Sequence, residues 1–273
     1  MKILELIEKT ALFLKQKGVD SPRLQIELML AHVLKLPRMA LYVQFERELT
    51  VSELDALRPL VKRRADREPL QHILGEAHFY GETFFCGKAA LVPRPETEVL
   101  VEWIVSALKG QAVGTLYDIG TGSGIIALTV AKQLPGWNIV GVDISADALA
   151  LARKNQSRLT MTNVTWREHD LLPPADGEHV IAANLPYLTD AEMSALPDEV
   201  AHDPALALRG GKDGLDLIRP LIAMTGERTT HIFLETGAGH AVTVSGLLAN
   251  VGFSRVEIRK DLNGVPRFIM GAR

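Results

Sequence analysis

Apolar residues recur at helical spacing through roughly the first seventy positions, and then in short runs separated by glycines and polar clusters. Ile3, Leu4, Ile7, Leu12 and Leu14 fall roughly on one face of a helix that ends near Gly18. The stretch "DSPRLQIELMLAHVLKL" begins with Ser21 as an N-cap and Pro22 at the first helical position. Thr50 and Glu53 form a capping box that opens "VSELDALRPLVKRRAD". These segments predict a small bundle of three or four amphipathic helices, the last ended by Pro69. Gly75, Gly81 and Gly87 then divide short β-prone runs, which predicts a hairpin acting as a linker. "RPETEVLVEWIVSAL" reads as a helix, with Glu96 and Glu98 in the first turn where the helix dipole favours them. From Thr115 onward, buried strands alternate with amphipathic helices: "GTLYDIG", "IIALTVAKQL", "NIVGVDI", "ADALALARKNQSRL", "NVTWREHD", "EHVIAANL", a helical stretch around Leu215–Thr225, and "HIFLETG". Such alternation predicts a doubly wound α/β sheet that binds ligands beyond the carboxyl ends of its strands. Two final β runs flank Asn263-Gly264, a hairpin signal, so the last strand should run antiparallel at or near an edge. The expected organisation is a helical domain over 1–72, a hairpin linker over 73–93 and an α/β domain over 94–273.

Composition narrows the chemistry. The chain has 273 residues, 47% hydrophobic, and a formal net charge of -3. The first 75 residues are slightly basic and the remainder acidic, without the strongly basic surface that DNA or ribosomal RNA usually requires. Cys86 is the only cysteine, in a β-prone run, and reads as a packed thiol. The eight histidines show no ligand spacing, so no metal is expected. The amphipathic N-terminus carries Lys2, Glu5 and Glu8 and does not read as a signal peptide, and no apolar run has the length of a membrane span. A cytoplasmic protein without membrane contact is expected.

The glycine-rich loop identifies a cofactor class. "YDIGTGSGIIAL" sets Asp118 at a strand end before Gly120, Thr121, Gly122, Ser123 and Gly124, a loop that lets backbone approach a ligand at a helix N-terminus. A dinucleotide fingerprint wants a third glycine three residues after the second, and Ile125 stands there. Asp-x-Gly-x-Gly-x-Gly instead resembles the first motif of class I S-adenosylmethionine-dependent methyltransferases. Asp143 ends the next strand, where a carboxylate can accept both ribose hydroxyls. Asp170 and Leu171 end the third, where Asp170 could accept from the adenine amine while Leu171 packs on the ring. The expected fold is therefore α/β, a Rossmann-like doubly wound sheet with an antiparallel C-terminal strand, preceded by the helical bundle.

"NLPY" (Asn184, Leu185, Pro186 and Tyr187) follows the fourth strand, beside the methyl group in that topology. An amide or exocyclic nitrogen is a poor nucleophile because its lone pair is delocalised. Two acceptors on its hydrogens orient it and offset the charge that develops on transfer. Asn184 Oδ1 and the Leu185 carbonyl suit that task, and Asn184 also borders the expected cofactor site; Pro186 holds Leu185 extended, and Tyr187 offers a stacking face. The tetrapeptide fits transfer to Gln side chains, adenine N6 or cytosine N4.

Six further segments carry a resemblance: "REPLQHILGEAHFYG", "LVPRPETEVLVE", "DIGTGSG", "VDIS", "LRGGKDGLDLI" and "LETG". From about Arg67 to the C-terminus they resemble the peptide-chain release factor glutamine N5-methyltransferases (PrmC/HemK family). The resemblance implies methyl transfer to the Gly-Gly-Gln glutamine of bacterial class 1 release factors, S-adenosylhomocysteine as the product, a monomeric enzyme and no direct nucleic-acid contact. It also implies that the helical bundle docks the release factor and the hairpin fixes the two domains. Two departures stand out. Leu185 replaces the family's usual proline, and Asn-Leu-Pro-Tyr is the form common in ribosomal RNA adenine N6-dimethyltransferases. "HDPALAL", His202 to Leu208, has Asp203 where Glu is usual. Glutamine methylation of a ribosomal protein and a non-catalytic release-factor scaffold are the other readings.

Overall fold

The computed structural model describes residues 1–273 and divides into two units. The first comprises Met1–Gly75 together with Pro197–His202. Its helices are α1 (Ile3–Gln16), α2 (Pro22–Leu34), α3 (Val51–Ala65) and the short α4 (Leu70–Leu74), with a 3-10 turn at Arg38–Leu41. Ile3, Ile7, Leu14, Ile26, Met29, Leu30, Leu41 and Leu57 form the core. Leu12, expected on the buried face, is 60% exposed, because nine residues after Ile3 it falls on the opposite side of the helix.

The capping box at Thr50 and Glu53 is present. Ser21 does not cap α2: its backbone is left-handed and its side chain makes no cap bond. Pro69 does not end a helix either. α3 stops at Asp66, and Pro69 in extended conformation leads into α4. Arg64 is fully buried; it bonds Gln25 Oε1, the Glu68 carbonyl at 3.1 Å and Glu199, which also pairs with Arg67 at 3.0 Å. A buried guanidinium requires such partners, so the 197–202 segment completes this unit.

The second unit comprises Glu76–Leu196 and Asp203–Arg273. It opens with the hairpin β1 (Glu76–Phe79) and β2 (Glu82–Phe85), which turns at Tyr80 and Gly81. The hairpin expected as a linker is packed into this unit, with Phe79 and Phe84 in its core. There follow α5 (Thr97–Leu108), β3 (Thr115–Ile119), α6 (Ile125–Gln133), β4 (Asn138–Asp143), α7 (Ala146–Leu159), β5 (Val164–Glu168) and β6 (His179–Asn184). The remaining elements are β7 (Leu188–Thr189), α8 (Asp190–Met193), β8 (Arg209–Gly211), α9 (Ile218–Met224), β9 (Thr229–Glu235), α10 (Ala241–Asn250), β10 (Arg255–Lys260) and β11 (Pro266–Ala272). Seven strands make one sheet in the order β10-β11-β9-β6-β3-β4-β5. Only β11 runs opposite to the other six strands, one place in from the edge. Residues alternate between two cores, as the strand period dictates: Leu116 packs with Leu100, Ile104 and Leu128 on one face, Tyr117 and Ile119 with Leu221, Ile222 and Leu248 on the other. The chain leaves β3 toward β4 on one side and later returns to β6 on the other, so β3 and β6 flank the switch point where a ligand crevice opens. No helix is long and apolar enough to cross a membrane.

Candidate active site

A cleft of about 320 Å³ opens at the carboxyl ends of β3, β4 and β6. Gly120, Gly122, Asp143, Asp170, Leu171, Asn184, Leu185 and Pro186 all line it, so residues spread over 67 positions of sequence meet at one place. Ala90, Ile144 and Leu206 add apolar wall.

Asp118, Thr121, Ser123, Gly124 and Tyr187 are not among its lining residues, and each has a different place. Asp118 lies behind the loop, fully buried; its Oδ2 accepts from Thr121 Oγ1 at 2.5 Å and from the Ala127 N–H at 3.0 Å, while Oδ1 has no partner. This carboxyl ties the loop to the first turn of α6. Burial pushes its pKa up to about 7 despite those two bonds. The Ser123 carbonyl accepts from Asn155 Nδ2 at 2.9 Å, and Asn155 also exchanges bonds with the Phe85 backbone, so one buried amide joins the loop, α7 and the hairpin. At Gly124 a side chain would meet the Trp166 indole at 2.8 Å.

Asp143 holds the loop from the cleft side. Its Oδ2 accepts from the Gly122 N–H at 2.8 Å and its Oδ1 from the Ser145 N–H at 2.9 Å. Each oxygen keeps a further lone pair for a ligand. Gly120 has a left-handed backbone (φ 69°), and a Cβ there would sit 2.8 Å from Leu185 Cδ2. The Leu185 side chain, 4% exposed, thus fills the space that the glycine leaves. The tetrapeptide marks a role for its carbonyl alone; the packing of its side chain depends on a residue 65 positions earlier.

Asn184 Nδ2 donates to Thr97 Oγ1 at 3.3 Å, at the start of α5. Glu235, in register with Asn184 across β6 and β9, is buried beside both side chains. Desolvation raises its carboxyl to about 7, against the hydrogen bonds of Thr97 and Asn184. No local pattern marks Thr97 or Glu235, although they lie in the segments "LVPRPETEVLVE" and "LETG". Tyr187 is half-buried next to three glycines: a Cβ at Gly210 would lie 2.6 Å from its Cα, at Gly214 2.3 Å from its carbonyl, and at Gly237 3.0 Å from its ring. Its phenol pKa is raised, first by burial and then by the Glu235 charge. Asp203, in the "HDPALAL" segment, accepts from the Val92 N–H at 3.2 Å and pairs with Arg94 at 2.8 Å, fixing the strip ahead of α5.

The donor set suits a nucleoside-bearing cation such as S-adenosylmethionine. Three carboxylates, Asp143, Asp147 and Asp170, border the cleft together with apolar side chains, and the wall at Gly120 and Gly122 is bare backbone.

Comparison with known proteins agrees with this geometry. Residues 5–75 match the PrmC N-terminal domain, and residues 116–202 match a methyltransferase domain. The chain is 39% identical to the release factor glutamine methyltransferase of Geobacter sulfurreducens, over 98% of this chain and 96% of that one. It is 35% identical to the protein of the same name from Chlorobaculum tepidum, over 97% and 95%. Among solved structures, the hMettl16 catalytic domain superposes with a TM-score of 0.59 at 16% identity, covering 78% of this chain and 81% of that one. A human methyltransferase 10 domain containing protein gives 0.51 at 13% identity, over 71% and 90%. These two likenesses establish the class I methyltransferase fold. With full-length relatives well above 30% identity, the chain belongs to the release factor glutamine methyltransferase family.

Proposed function

We propose that the chain transfers a methyl group from S-adenosylmethionine to the side-chain amide nitrogen of the Gly-Gly-Gln glutamine in bacterial class 1 release factors, acting as a monomer in the cytoplasm. Family membership together with Asn184 at the mouth of the cofactor cleft is the observation that carries this reading. The cofactor supplies an electrophilic methyl group. Asp143 would hold the ribose hydroxyls on its remaining lone pairs, Asp170 and Leu171 would receive the adenine, and Gly120 and Gly122 would leave room for the amino-acid end. Asp118, Thr121, Ser123 and Gly124 support that loop from within.

Asn184 Oδ1 and the Leu185 carbonyl accept the two hydrogens of the glutamine amide, which aims its nitrogen and offsets the positive charge that develops there. Pro186 keeps Leu185 extended so that its carbonyl keeps its direction. Tyr187 offers its ring face to the planar amide. No strong base is required, because the nitrogen proton becomes acidic only once the carbon–nitrogen bond forms. Adenine transfer, suggested by Leu185, has less support: the leucine has a packing partner in Gly120, and the second unit lacks a basic balance.

The test is mass spectrometry of an unmethylated release factor after incubation with this protein and S-adenosylmethionine. A single added methyl on the Gly-Gly-Gln glutamine is expected. With Asn184→Ala the methyl should be absent while cofactor affinity stays within about threefold, since Asn184 is asked to bind the acceptor amide and not the nucleoside. Label in ribosomal RNA instead of the release factor would overturn the reading.

A further inference from the structure

An asparagine is useful as an acceptor only if its amide faces the right way. Its two ends are nearly the same size, and a half-turn would present Nδ2 to the cleft in place of Oδ1. In that orientation a glutamine N–H would meet another donor. Something must therefore hold the Asn184 amide, and the groups behind it are specific. Nδ2 lies 3.3 Å from Thr97 Oγ1. Glu235 stands beside both, held in register with Asn184 by the β6–β9 ladder, and is 3% exposed. Its Oε2 has no hydrogen-bond partner.

We infer that Thr97 and Glu235 are positioning residues, a buried relay that fixes the Asn184 amide with Oδ1 toward the acceptor nitrogen. The inference rests on the glutamine-transfer reading for its purpose, though not for its geometry. An ionised Glu235 accepts only, so it takes the single Thr97 hydroxyl proton. Thr97 Oγ1 is then left as an acceptor, and only the NH2 end of Asn184 can satisfy it. A reversed amide would press Oδ1 against a hydroxyl oxygen and a carboxylate. Buried hydrogen bonds linked in this way reinforce one another, so the set holds the amide more firmly than its members would singly.

Protonation of Glu235 undoes the logic. The neutral acid can donate to Thr97 Oγ1, which frees the Thr97 proton to point at Asn184 and accommodates either amide orientation. The charged groups that act on its titration are Arg267 on β11 and Glu96 at the start of α5, and hydrogen bonds from Thr97 and Asn184 favour its ionised form. Arg267 favours the ionised form and Glu96 opposes it, while burial is the largest influence and favours the neutral form. The active, ionised state is therefore reached on raising the pH through neutrality.

The experiment compares wild-type enzyme with Thr97→Val, Thr97→Ser and Glu235→Gln. It measures kcat and KM for the release factor across pH 5.5–9, and cofactor affinity by calorimetry. Thr97→Val keeps the shape and removes the hydroxyl, and should lower kcat by about 10- to 100-fold with cofactor affinity unchanged. Thr97→Ser restores the hydroxyl and should return most of that loss. Glu235→Gln should remove the rise in kcat through neutral pH. Equal kcat in Thr97→Val and wild type, or a loss that Thr97→Ser fails to return, would overturn the relay.

A second readout does not depend on the substrate. The Asn184 side-chain NH2 signals in nitrogen–proton spectra, assigned by their loss in Asn184→Ala, should be protected from exchange in wild type. They should shift with pH through neutrality and lose protection in Thr97→Val. Protection that is the same in both proteins would also overturn the relay. If wild type transfers no methyl to the release factor yet shows this protection and its loss, the substrate reading fails and the relay stands.

Discussion

Leu185 carries the residue that would suggest adenine as the acceptor, and its side chain supplies a separate reason for being there. It closes over Gly120 in the second core of the sheet. Leu185→Ala would leave a hole beneath the cofactor loop and should cost about 2–4 kcal/mol of stability, read from urea unfolding followed by fluorescence. Gly120→Ala, which puts a methyl group into the same space from the other side in a left-handed backbone, should weaken cofactor binding about tenfold or more by calorimetry. At this scale the sequence was partly legible. Asp143, Asp170 and Asn184 could be placed because each follows a recognisable strand and has a chemical task a short side chain can perform. The Leu185–Gly120 contact and the Thr97–Glu235 pair could not, because each joins residues far apart in the chain and has no local periodicity to mark it. The motif groups Asp118 with the cofactor-binding loop, yet its side chain faces inward, because the strand alternation that puts Leu116 on the α5–α6 side puts Asp118 there too.

Elements order the site by filling the spaces around it. The loop through Tyr187 is confined by Gly210 and Gly214, and at Gly214 (φ 76°) a methyl group would strike the Tyr187 carbonyl and the His240 ring. Gly214→Ala should lower methyl transfer by about tenfold or more while leaving cofactor affinity within about threefold, because the clash reaches Tyr187 and not the glycine-rich loop. The capping box, the terminal hairpin and the strand–helix alternation were readable, since each is written in adjacent residues. The two-stranded pairing of β7 with β8 and the helix α10 were not anticipated. β7 has only two residues and β8 three, too short for a period to show, and α10 has a weak polar face.

Across the whole molecule, stability and activity pull in opposite directions near neutral pH. Asp118 and Glu235 have ordinary values of 3.8 and 4.5, and both are raised to about 7 in the folded chain. Between about pH 4.5 and 7 the folded state holds protons that the unfolded state has released, so stability falls as pH rises through that window and levels above it. The urea midpoint should therefore be lower at pH 7 than at pH 5, and Glu235→Gln should reduce that difference. A midpoint that rises over the same interval would contradict this assignment of the buried carboxyls. Glu53 and Glu192, whose values are lowered by backbone N–H bonds at helix starts, act in the other direction, and their contribution is lost only as the solution becomes more acidic than their ordinary range.

The discontinuity of the first unit has a consequence in time. Arg64 is buried among Gln25, the Glu68 carbonyl and Glu199, and Glu199 lies 135 residues further along the chain. At roughly 5–20 residues per second of synthesis, the arginine leaves the ribosome about 7–27 s before its carboxylate does. During that interval the helices have their apolar core but not the charge that compensates the guanidinium, so the segment that emerges first is not the first to be finished. A stalled nascent chain ending before Pro197 should leave this unit open to protease, and one long enough to expose Glu199 should close it.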